Sequence, residues 1–392
     1  MNMTTTPPAR GFTLAEFEGR TERAQRRMRE LEIDVMLLTT EPQVRYFSGF
    51  LTQFWHSPTR PWFLLVPLEG KPIAVIPSIG VAGMQLSWID DIRSWSSPQP
   101  EDDGISLLLA AIRELPRRFG RLGATMGMES ILRMPVRDFQ HLQNELSGID
   151  VIDCAEMMLQ LCSVKSTAEI DKVRYVCELA SDSFIALPDL IHSGQSEREI
   201  LRDMRIDLLQ RGADHTPYIV SASGPDGYGD IIMGPSDRIV ESGDVMIIDT
   251  GTLYDGYFCD FDRNYAFGNA SDRARRAYDT VYQSTEAGLA AARPGATTTD
   301  VWQAMWSVLE AGGAMGNDVG RMGHGLGAQL TEWPSLTATD NTPLQPGMVM
   351  TLEPGMEFAS GKLMVHEENI VITESGAELL SKRATAEMPI IR

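Results

Sequence analysis

The 392-residue chain carries 34 basic and 54 acidic side chains, which give it a formal charge of −20 at neutral pH. This charge argues against nucleic acid or an anionic membrane surface as a partner, because both repel an acidic protein. With 43% hydrophobic residues, the chain is long enough to bury a large core and to form two domains.

Hydropathy and cysteine usage predict a soluble, cytoplasmic protein. No apolar run reaches the ~18 residues of a membrane-spanning helix, and no basic and apolar leader precedes the body of the sequence. Cys154, Cys162, Cys177 and Cys259 show no Cys-x-x-Cys spacing, so neither a zinc knuckle nor a disulfide framework is expected. Scattered thiols of this kind suit a reducing compartment.

The first 160 residues predict a mixed α/β domain. Hydrophobic periodicity predicts helices over residues 12–31, 103–117 and 135–146, and strands over residues 34–40, 61–67, 71–77, 124–129 and 149–153. Strands that alternate with helices in this way form a sheet covered by helices.

A second domain is predicted from residue 161 onward. Two capping boxes, Ser166 with Glu169 and Ser196 with Glu199, predict the starts of two helices. The remaining predicted elements are a strand over 218–222, a strand hairpin over 245–263, helices over 271–292 and 299–311, and several C-terminal strands.

The hairpin over 245–263 is unusual because it places acidic residues in an apolar stretch that favours β structure. Asp249 and Asp260 are expected on facing strands. An unpaired buried charge costs several kcal/mol or more, so a shared cation is the simplest explanation of the two carboxylates. Hard divalent metals prefer such oxygen ligands.

Three later segments supply further metal-binding side chains. They are Gly-His-Gly-Leu-Gly at 323–327, Leu-Gln-Pro-Gly-Met-Val-Met-Thr-Leu-Glu-Pro-Gly at 344–355, and Val-His-Glu-Glu-Asn-Ile-Val at 365–371. With the two aspartates eleven residues apart, this order of ligands resembles the pita-bread metallopeptidases, family M24, in the creatinase, aminopeptidase P and prolidase branch. The resemblance runs from about residue 161 to residue 392, and the N-terminal part is similar to the creatinase/prolidase N-domain.

The resemblance implies a creatinase-like mixed α/β N-terminal domain, residues 1–160, followed by a pita-bread catalytic domain, residues 161–392. It implies two divalent metal ions per chain, which activate a water molecule and polarise a substrate carbonyl. A carboxylate-rich shell favours Mn²⁺ first, then Co²⁺ or Fe²⁺, and is also compatible with Zn²⁺. The implied metal ligands are Asp249, Asp260, His324, Glu353 and Glu367.

The resemblance also implies catalytic roles for two of these ligands. Glu353 is expected to accept the proton of the attacking water. If the chain had lost its metal, as creatinase has, His324 would be the acid–base group instead. Side-chain alternation in a strand predicts that Glu367, rather than Glu368, is the metal ligand and that His366 is structural.

Four positions depart from the peptidases of this family. Histidines usual in these enzymes are replaced by Ile232 and Thr331, and a usual arginine is replaced by Val365. A family threonine is replaced by Asp262, which alternation places on the same face as Asp260. Either peptidase activity persists with altered substrate contacts, or the substrate is a small cationic or zwitterionic molecule.

For a cationic substrate, the charge would meet Asp262 or Asp226, with aromatic side chains stacking on it. The candidate aromatic contacts are Tyr228, Trp333 and Trp55. Trp55 and His56 belong to a loop over 52–62 that is either packed locally or, as in creatinase-like relatives, directed at the site of a neighbouring subunit. A homodimer is therefore predicted.

The prediction is a dinuclear-metal hydrolase of a C–N bond in a short peptide or small molecule, similar to Xaa-Pro dipeptidases and aminopeptidase P. The alternative is a non-peptide enzyme, either a creatinase-like or ectoine-hydrolase-like hydrolase or a dimethylsulfoniopropionate lyase. The Glu-Trp-Pro run at 332–334 resembles a run in these lyases, but the chain lacks their Asp-x-Asp motif at 249–251. A catalytically silent binding protein is the third hypothesis, and the intact ligand set argues against it.

Overall fold

A computed structural model describes residues 6–316 and 320–392 of the chain. Within these ranges the chain divides into two compact units. Residues 9–162 form the N-terminal unit, and residues 163–392 with residues 6–8 form the C-terminal unit. Among the helices described there, none has the length and apolar character needed to cross a membrane.

The N-terminal unit is a six-stranded mixed sheet with helices. Its helices are α1 (Leu14–Glu30), α2 (Glu41–Ser48), α3 (Val81–Met84), α4 (Ile105–Glu114), α5 (Val136–Glu145) and α6 (Ala155–Ser163). Its strands are β1 (Val35–Leu38), β2 (Phe63–Pro67), β3 (Ile73–Pro77), β4 (Asp91–Trp95), β5 (Arg121–Ala124) and β6 (Asp150–Asp153). The order across the sheet is β4-β3-β2-β1-β5-β6.

Strand β1 is apolar throughout because both faces of this sheet are covered. Met36 and Leu38 pack in one hydrophobic cluster, and Val35 and Leu37 pack in another. Successive side chains of a strand point to opposite faces, so each cluster fills one side of the sheet. The predicted mixed α/β domain is confirmed.

One predicted strand of this unit is wrong. The sequence predicted a strand over 124–129, whereas β5 ends at Ala124. The carboxylate of Asp153 accepts hydrogen bonds from the backbone N–H groups of Met126 and Gly127, at 2.9 and 3.0 Å. These N–H groups are therefore satisfied by a side chain and not by a neighbouring strand.

The C-terminal unit contains two sheets and a two-stranded ribbon. Its helices are α7 (Thr167–Ala186), α8 (Glu197–Arg211), α9 (Asp272–Ala291) and α10 (Thr298–Ala311). The strands of the first sheet are β7 (His215–Pro225), β8 (Asp244–Tyr254), β9 (Tyr257–Phe258), β10 (Phe261–Phe267) and β18 (Ile390–Ile391). The others are β11 (His324–Gly325), β12 (Glu332–Ser335), β13 (Val349–Leu352), β14 (Gly355–Ala359), β15 (Lys362–Val365), β16 (Glu368–Ile372) and β17 (Ala377–Leu379).

The first sheet has the order β18-β10-β8-β7, with β9 paired to β8. The second sheet has the order β12-β11-β13-β16-β17, and β14 and β15 form the ribbon.

Three helices of this unit begin with a complete capping box. In each box, the side chain of the N-cap residue accepts a hydrogen bond from the backbone N–H three residues later, and the side chain of that later residue accepts one from the backbone N–H of the N-cap residue. The boxes pair Ser166 with Glu169, Ser196 with Glu199, and Thr297 with Asp300. A capping side chain of this kind stabilises a helix by about 0.5–2 kcal/mol. The first two helix starts were predicted from the sequence and are confirmed.

Candidate metal centre

Two aspartates meet where β8 and β10 pair. These strands are antiparallel, and Asp262 lies directly opposite Asp249. Asp260 comes immediately before β10, and its backbone N–H donates to Asn369 Oδ1 at 2.9 Å. The side-chain amide of Asn369 in turn donates to the carbonyl of Asp260. This reciprocal pair ties Asp260 to β16 of the other sheet.

His324 presents one ring nitrogen to these carboxylates. Its Nδ1 lies 2.9 Å from the carbonyl oxygen of Gly325, which can only accept, so Nδ1 is the donor. Nε2 then carries the lone pair and lies 3.4 Å from Asp260 Oδ2 and 4.0 Å from Glu353 Oε2. A histidine oriented by a backbone carbonyl in this way is typical of a metal ligand.

The glycines on either side of His324 permit this position. Gly323 has φ +145°, and a Cβ atom added there would lie 2.4 Å from the carbonyl oxygen of Thr351. A Cβ atom at Gly325 would lie 2.4 Å from the carbonyl oxygen of Trp333. Only glycine fits between these backbones, so β11 can lie close to both neighbouring strands.

Glu367 and Glu368 have different environments although they are adjacent. Glu368 accepts hydrogen bonds from Arg263 and Arg383, at 3.0 and 3.1 Å, and from the hydroxyl of Ser381. Burial raises the pKa of Glu368, but Arg263 and these hydrogen bonds hold it below its usual value. Glu367 Oε1 is buried without a hydrogen-bond partner. Glu367 is therefore the side chain that retains a donor atom for a metal.

His366 contacts other protein side chains beside this segment. Its Nδ1 is 3.2 Å from Thr285 Oγ1, and its Nε2 is 3.1 Å from Arg383 Nη1. Burial lowers the pKa of His366 to about 3, and the positive charge of Arg383 contributes in the same direction. The side chain is a neutral packing residue beside the cluster.

Three buried oxygen atoms of the cluster fit a cation. Asp249 Oδ1, Asp262 Oδ2 and Glu367 Oε1 are buried, and none has a hydrogen-bond partner within the described residues. Asp260, His324 and Glu367 each offer one ligand atom, and these atoms all lie within 4.8 Å of one another. Buried carboxylate oxygens without donors require a counter-charge, and this set of oxygen and imidazole donors suits a divalent metal.

The pKa values of the cluster also indicate that its carboxylates need a counter-charge. Burial raises the pKa values of Asp249, Asp260 and Glu367 well above the usual carboxyl range, and neighbouring carboxylates raise those of Asp249 and Glu367 further. Burial also raises the pKa of Glu353, although His324 partly opposes the shift. A bound divalent cation would reverse these shifts by favouring the ionised carboxylates.

The cluster forms one side of a cavity of about 290 Å³. Asp262, Thr331 and Arg321 also line this cavity. The cavity wall includes three of the positions where the sequence departs from the family's peptidases, Ile232, Thr331 and Val365. The substituted positions therefore face the space that a substrate would occupy.

Tyr228 is not placed as a substrate contact, contrary to the expectation from the sequence. Its side chain is 1% exposed and does not line the cavity within the described residues. The hydroxyl donates to Asn264 Oδ1 at 2.9 Å and accepts from the backbone N–H of Val365 at 2.8 Å. Tyr228 therefore supports the strands behind Asp262.

Neither of the two other aromatic candidates is among the described residues that line the cavity. Trp333 is partly buried on β12, where its carbonyl packs on Gly325, and it is outside the described lining of the cavity. Trp55 is buried in the N-terminal unit, with its ring centroid 5.6 Å from that of Trp62 and 5.1 Å from the Arg133 guanidinium. Its neighbour His56 is exposed.

Two polar residues of the cavity were missed by reasoning from the sequence. Tyr218 lines the cavity, and burial together with the nearby charge of Asp249 raises its pKa well above the usual tyrosine value. Arg321, three residues before His324, lies 3.8 Å from Glu353 through its Nε. The short spacing from His324 is a signal that could have identified Arg321.

Comparison with known families identifies the family of the chain. The model for metallopeptidase family M24 matches residues 171–374, slightly more than half of the chain. The chain belongs to metallopeptidase family M24. The model for the creatinase/prolidase N-terminal domain matches residues 20–164. As a member of family M24 the chain is a metal-dependent hydrolase.

Individual relatives agree with this M24 assignment. An Xaa-Pro dipeptidase of Pyrococcus furiosus is 29% identical over 267 residues, which cover 66% of this chain and 74% of that protein. The crystal structure of dipeptidase PepE from Mycobacterium ulcerans has a TM-score of 0.84 at 26% identity and covers 97% of this chain and 99% of its own. A prolidase from Thermococcus sibiricus, 22% identical with a TM-score of 0.85 over 95% and 99% of the two chains, shows the same fold. The predicted fold class, a creatinase-like N-terminal domain and a pita-bread catalytic domain, is confirmed.

Proposed function

We propose that this M24 hydrolase is a dipeptidase that cleaves Xaa-Pro peptides with two divalent metal ions, Mn²⁺ first among the candidates. The observation that carries the proposal is the set of buried, unpartnered carboxylate oxygens beside His324 on the wall of one cavity. The relatives named above support the substrate class. Catalysis is assigned to residues 161–392. The proposed metal ligands are Asp249, Asp260, His324, Glu353 and Glu367.

The proposed mechanism assigns separate tasks to the side chains of the site. Two divalent cations supply Lewis acidity, which activates water and polarises the scissile carbonyl. Glu353 lines the cavity beside His324 and accepts the proton of the attacking water. It then delivers this proton to the departing amine nitrogen.

A substrate panel and a metal measurement test this proposal together. Protein purified without chelator and reconstituted with Mn²⁺ is expected to contain about two ions per chain by plasma mass spectrometry. Xaa-Pro dipeptides are expected to be hydrolysed, whereas creatine, ectoine and dimethylsulfoniopropionate are not. Turnover of a small osmolyte instead would favour the non-peptide alternative, to which the comparisons give no support. Turnover of nothing would favour a binding protein.

Asp262 is proposed to bind the positive charge of the substrate, because its Oδ2 has no hydrogen-bond partner in the described structure and its side chain lines the cavity. Asp262→Thr is expected to raise KM for a dipeptide about 10- to 100-fold, since a hydrogen bond to a charged group contributes about 1.5–3 kcal/mol. Steady-state kinetics and metal content would be measured together.

The matched control for Asp262 is Asp279→Thr, which changes an exposed aspartate of α9. It is expected to leave both KM and metal content unchanged. Unchanged kinetics in Asp262→Thr would remove Asp262 from the substrate site, and a loss of metal equal to the loss of activity would make it a metal ligand.

We also propose that the protein acts in the cytoplasm as a homodimer in which His56 contributes to the site of the other subunit. His56→Ala and Glu353→Gln chains are each expected to be inactive alone. When they are unfolded and refolded as a mixture, about a quarter of the sites should be intact, because half of the dimers are mixed and each has one complete site. Absence of recovered activity in confirmed mixed dimers would show that His56 does not act across subunits.

A further inference from the structure

Lys165 and Glu332 form a buried ion pair behind the wall of the catalytic cavity. Lys165 Nζ donates to Glu332 Oε2 at 2.7 Å and to the carbonyl oxygen of Ser163 at 3.2 Å. The two side chains are 2% and 6% exposed, and neither is among the described residues that line the cavity. Separating two buried charges leaves each without a partner, so this pair holds together the two chain segments that carry it.

Lys165 extends from a segment that the protein fixes in place just before α7. Its backbone N–H donates to the carbonyl of Gly347 at 2.9 Å. A Cβ atom at Gly347 would lie 3.0 Å from the carbonyl oxygen of Lys165, which shows how closely the two backbones approach. The capping box at Ser166 follows immediately. The ammonium group is therefore anchored from its backbone.

Glu332 receives this ammonium group at the end of the loop that joins β11 to β12. This loop, residues 326–331, is named the wall loop. Glu332 Oε1 accepts from the backbone N–H of Gln329 at 3.1 Å. A Cβ atom at Gly327 would lie 2.8 Å from Lys165 Cε and 3.0 Å from both carboxylate oxygens of Glu332. These contacts fold the wall loop around the ion pair.

The opposite side of the wall loop forms part of the catalytic cavity. Leu330 and Thr331 line this cavity together with the proposed metal ligands. A Cβ atom at Gly251, two residues after Asp249, would lie 2.2 Å from Leu330 Cδ1. Leu330 therefore packs directly against β8, the strand that carries Asp249. The position of this wall relative to the metal ligands consequently depends on the ion pair.

We propose that Lys165 is a positioning residue for the substrate, because through Glu332 it holds the wall loop where the loop fits a bound peptide. This inference rests on the proposed function. A displacement of about 1 Å caused by a residue far from the reacting atoms can cost about 100-fold in rate. Lys165 and Glu332 supply no chemistry themselves, so loss of the pair acts on substrate binding more than on the chemical step.

The test replaces Lys165 by methionine, which has a similar length and no charge. In the Mn²⁺-loaded enzyme, Lys165→Met is expected to raise KM for Ala-Pro about 10-fold, the size of a lost apolar contact with a substrate, and to leave kcat and metal content near those of the wild type. The double variant Lys165→Met, Glu332→Gln should regain thermal stability, because no unpaired buried carboxylate remains. It should keep the raised KM. A normal KM in the double variant would overturn the inference.

The matched control is Lys172→Met, which breaks a second buried ion pair of the same unit. Lys172 Nζ lies 2.7 Å from Asp255 Oδ2, the side chains are 1% and 12% exposed, and neither is among the described residues that line the cavity. This variant is expected to lower Tm as Lys165→Met does and to leave KM unchanged. Equal KM values in the two variants would overturn the inference and leave Lys165 with a structural role only.

Hydrogen–deuterium exchange gives a readout that does not depend on turnover. Peptides that span the wall loop, compared with peptides of β13, are expected to exchange faster in Lys165→Met than in the wild type or in Lys172→Met. Unchanged exchange of the wall loop would also overturn the inference. If the wild type hydrolyses no Xaa-Pro peptide, the proposed function itself is wrong, and the exchange comparison still decides whether Lys165 holds the wall loop.

Discussion

Replacing Glu353 by glutamine is expected to lower kcat for an Xaa-Pro dipeptide by about 10²- to 10⁴-fold, the usual contribution of a positioned acid–base group. Glutamine retains an oxygen that can contact a metal, but it cannot accept the proton of the attacking water. KM should change little, because the substrate contact proposed at Asp262 is retained. Steady-state kinetics on protein with its metal content determined for each preparation would measure the effect.

The matched control for this substitution is Glu357→Gln on the next strand. Glu357 is partly buried on β14, and its Oε1 accepts from the backbone N–H of Gly361 at 2.8 Å. This variant should keep normal kcat. Glu353→Gln enzyme that retains wild-type kcat would exclude Glu353 as the proton acceptor, whereas a loss of kcat in exact proportion to lost metal would reduce its role to that of a ligand.

Removal of the metal ions is expected to make thermal stability fall as the pH rises from 6.5 to 8.5. The unfolded chain ionises its carboxyl groups near pH 4, whereas burial raises the pKa values of Asp249, Asp260 and Glu367 well above that range. The folded, metal-free chain therefore binds more protons than the unfolded chain, and its unfolding free energy decreases as pH rises through the raised pKa values. His366, with its pKa lowered to about 3, is neutral throughout this window.

Addition of Mn²⁺ should oppose this loss and should raise Tm more at pH 8.5 than at pH 6.5. A ligand at 100 times its Kd stabilises a protein by about 2.7 kcal/mol, which corresponds to several degrees in Tm for a chain of this size. Scanning calorimetry of chelator-treated protein, with and without Mn²⁺, measures both effects. Asp260→Asn removes one of the repelling charges, so its metal-free form should lose less stability across the window and respond less to Mn²⁺.

A metal-free protein whose Tm increases over this pH window would contradict the assignment of raised pKa values to the cluster. It would mean that the carboxylates are ionised and favourably paired without a cation. An equal Mn²⁺ response in wild type and Asp260→Asn would instead remove Asp260 from the ligand set.

Local sequence signals predicted the elements of this chain well. The capping boxes at Ser166 and Ser196 act within four residues, so the start of each helix is encoded where it occurs. The prediction for Glu367 and Glu368 assumed one continuous strand, whereas β15 ends at Val365 and β16 begins at Glu368. The relative placement of distant ligands came from the resemblance to a family, because no local signal brings His324 to Asp260.

Residues whose roles depend on tertiary packing were predicted poorly. Tyr228 and Trp55 were selected because aromatic rings can stack on a cation, but each packs inside its own unit. Arg321 was overlooked although it lies only three residues before His324. Its place on the cavity wall near Glu353 depends on tertiary packing, which no local sequence signal displays.

Arg263 connects parts of the two sheets that carry the cluster. From β10 it donates to the carbonyl of Glu367 at 3.0 Å and to the carboxylate of Glu368 at 3.0 Å, at the start of β16. Asn369 and Asp260 form a second connection between the same two sheets. The backbone segments that carry Asp260 and Glu367 are thus fixed by hydrogen bonds from Asn369 and Arg263. Because these segments are already fixed, binding of a cation costs little free energy for ordering the protein. More of the attraction between the cation and the carboxylates then contributes to affinity.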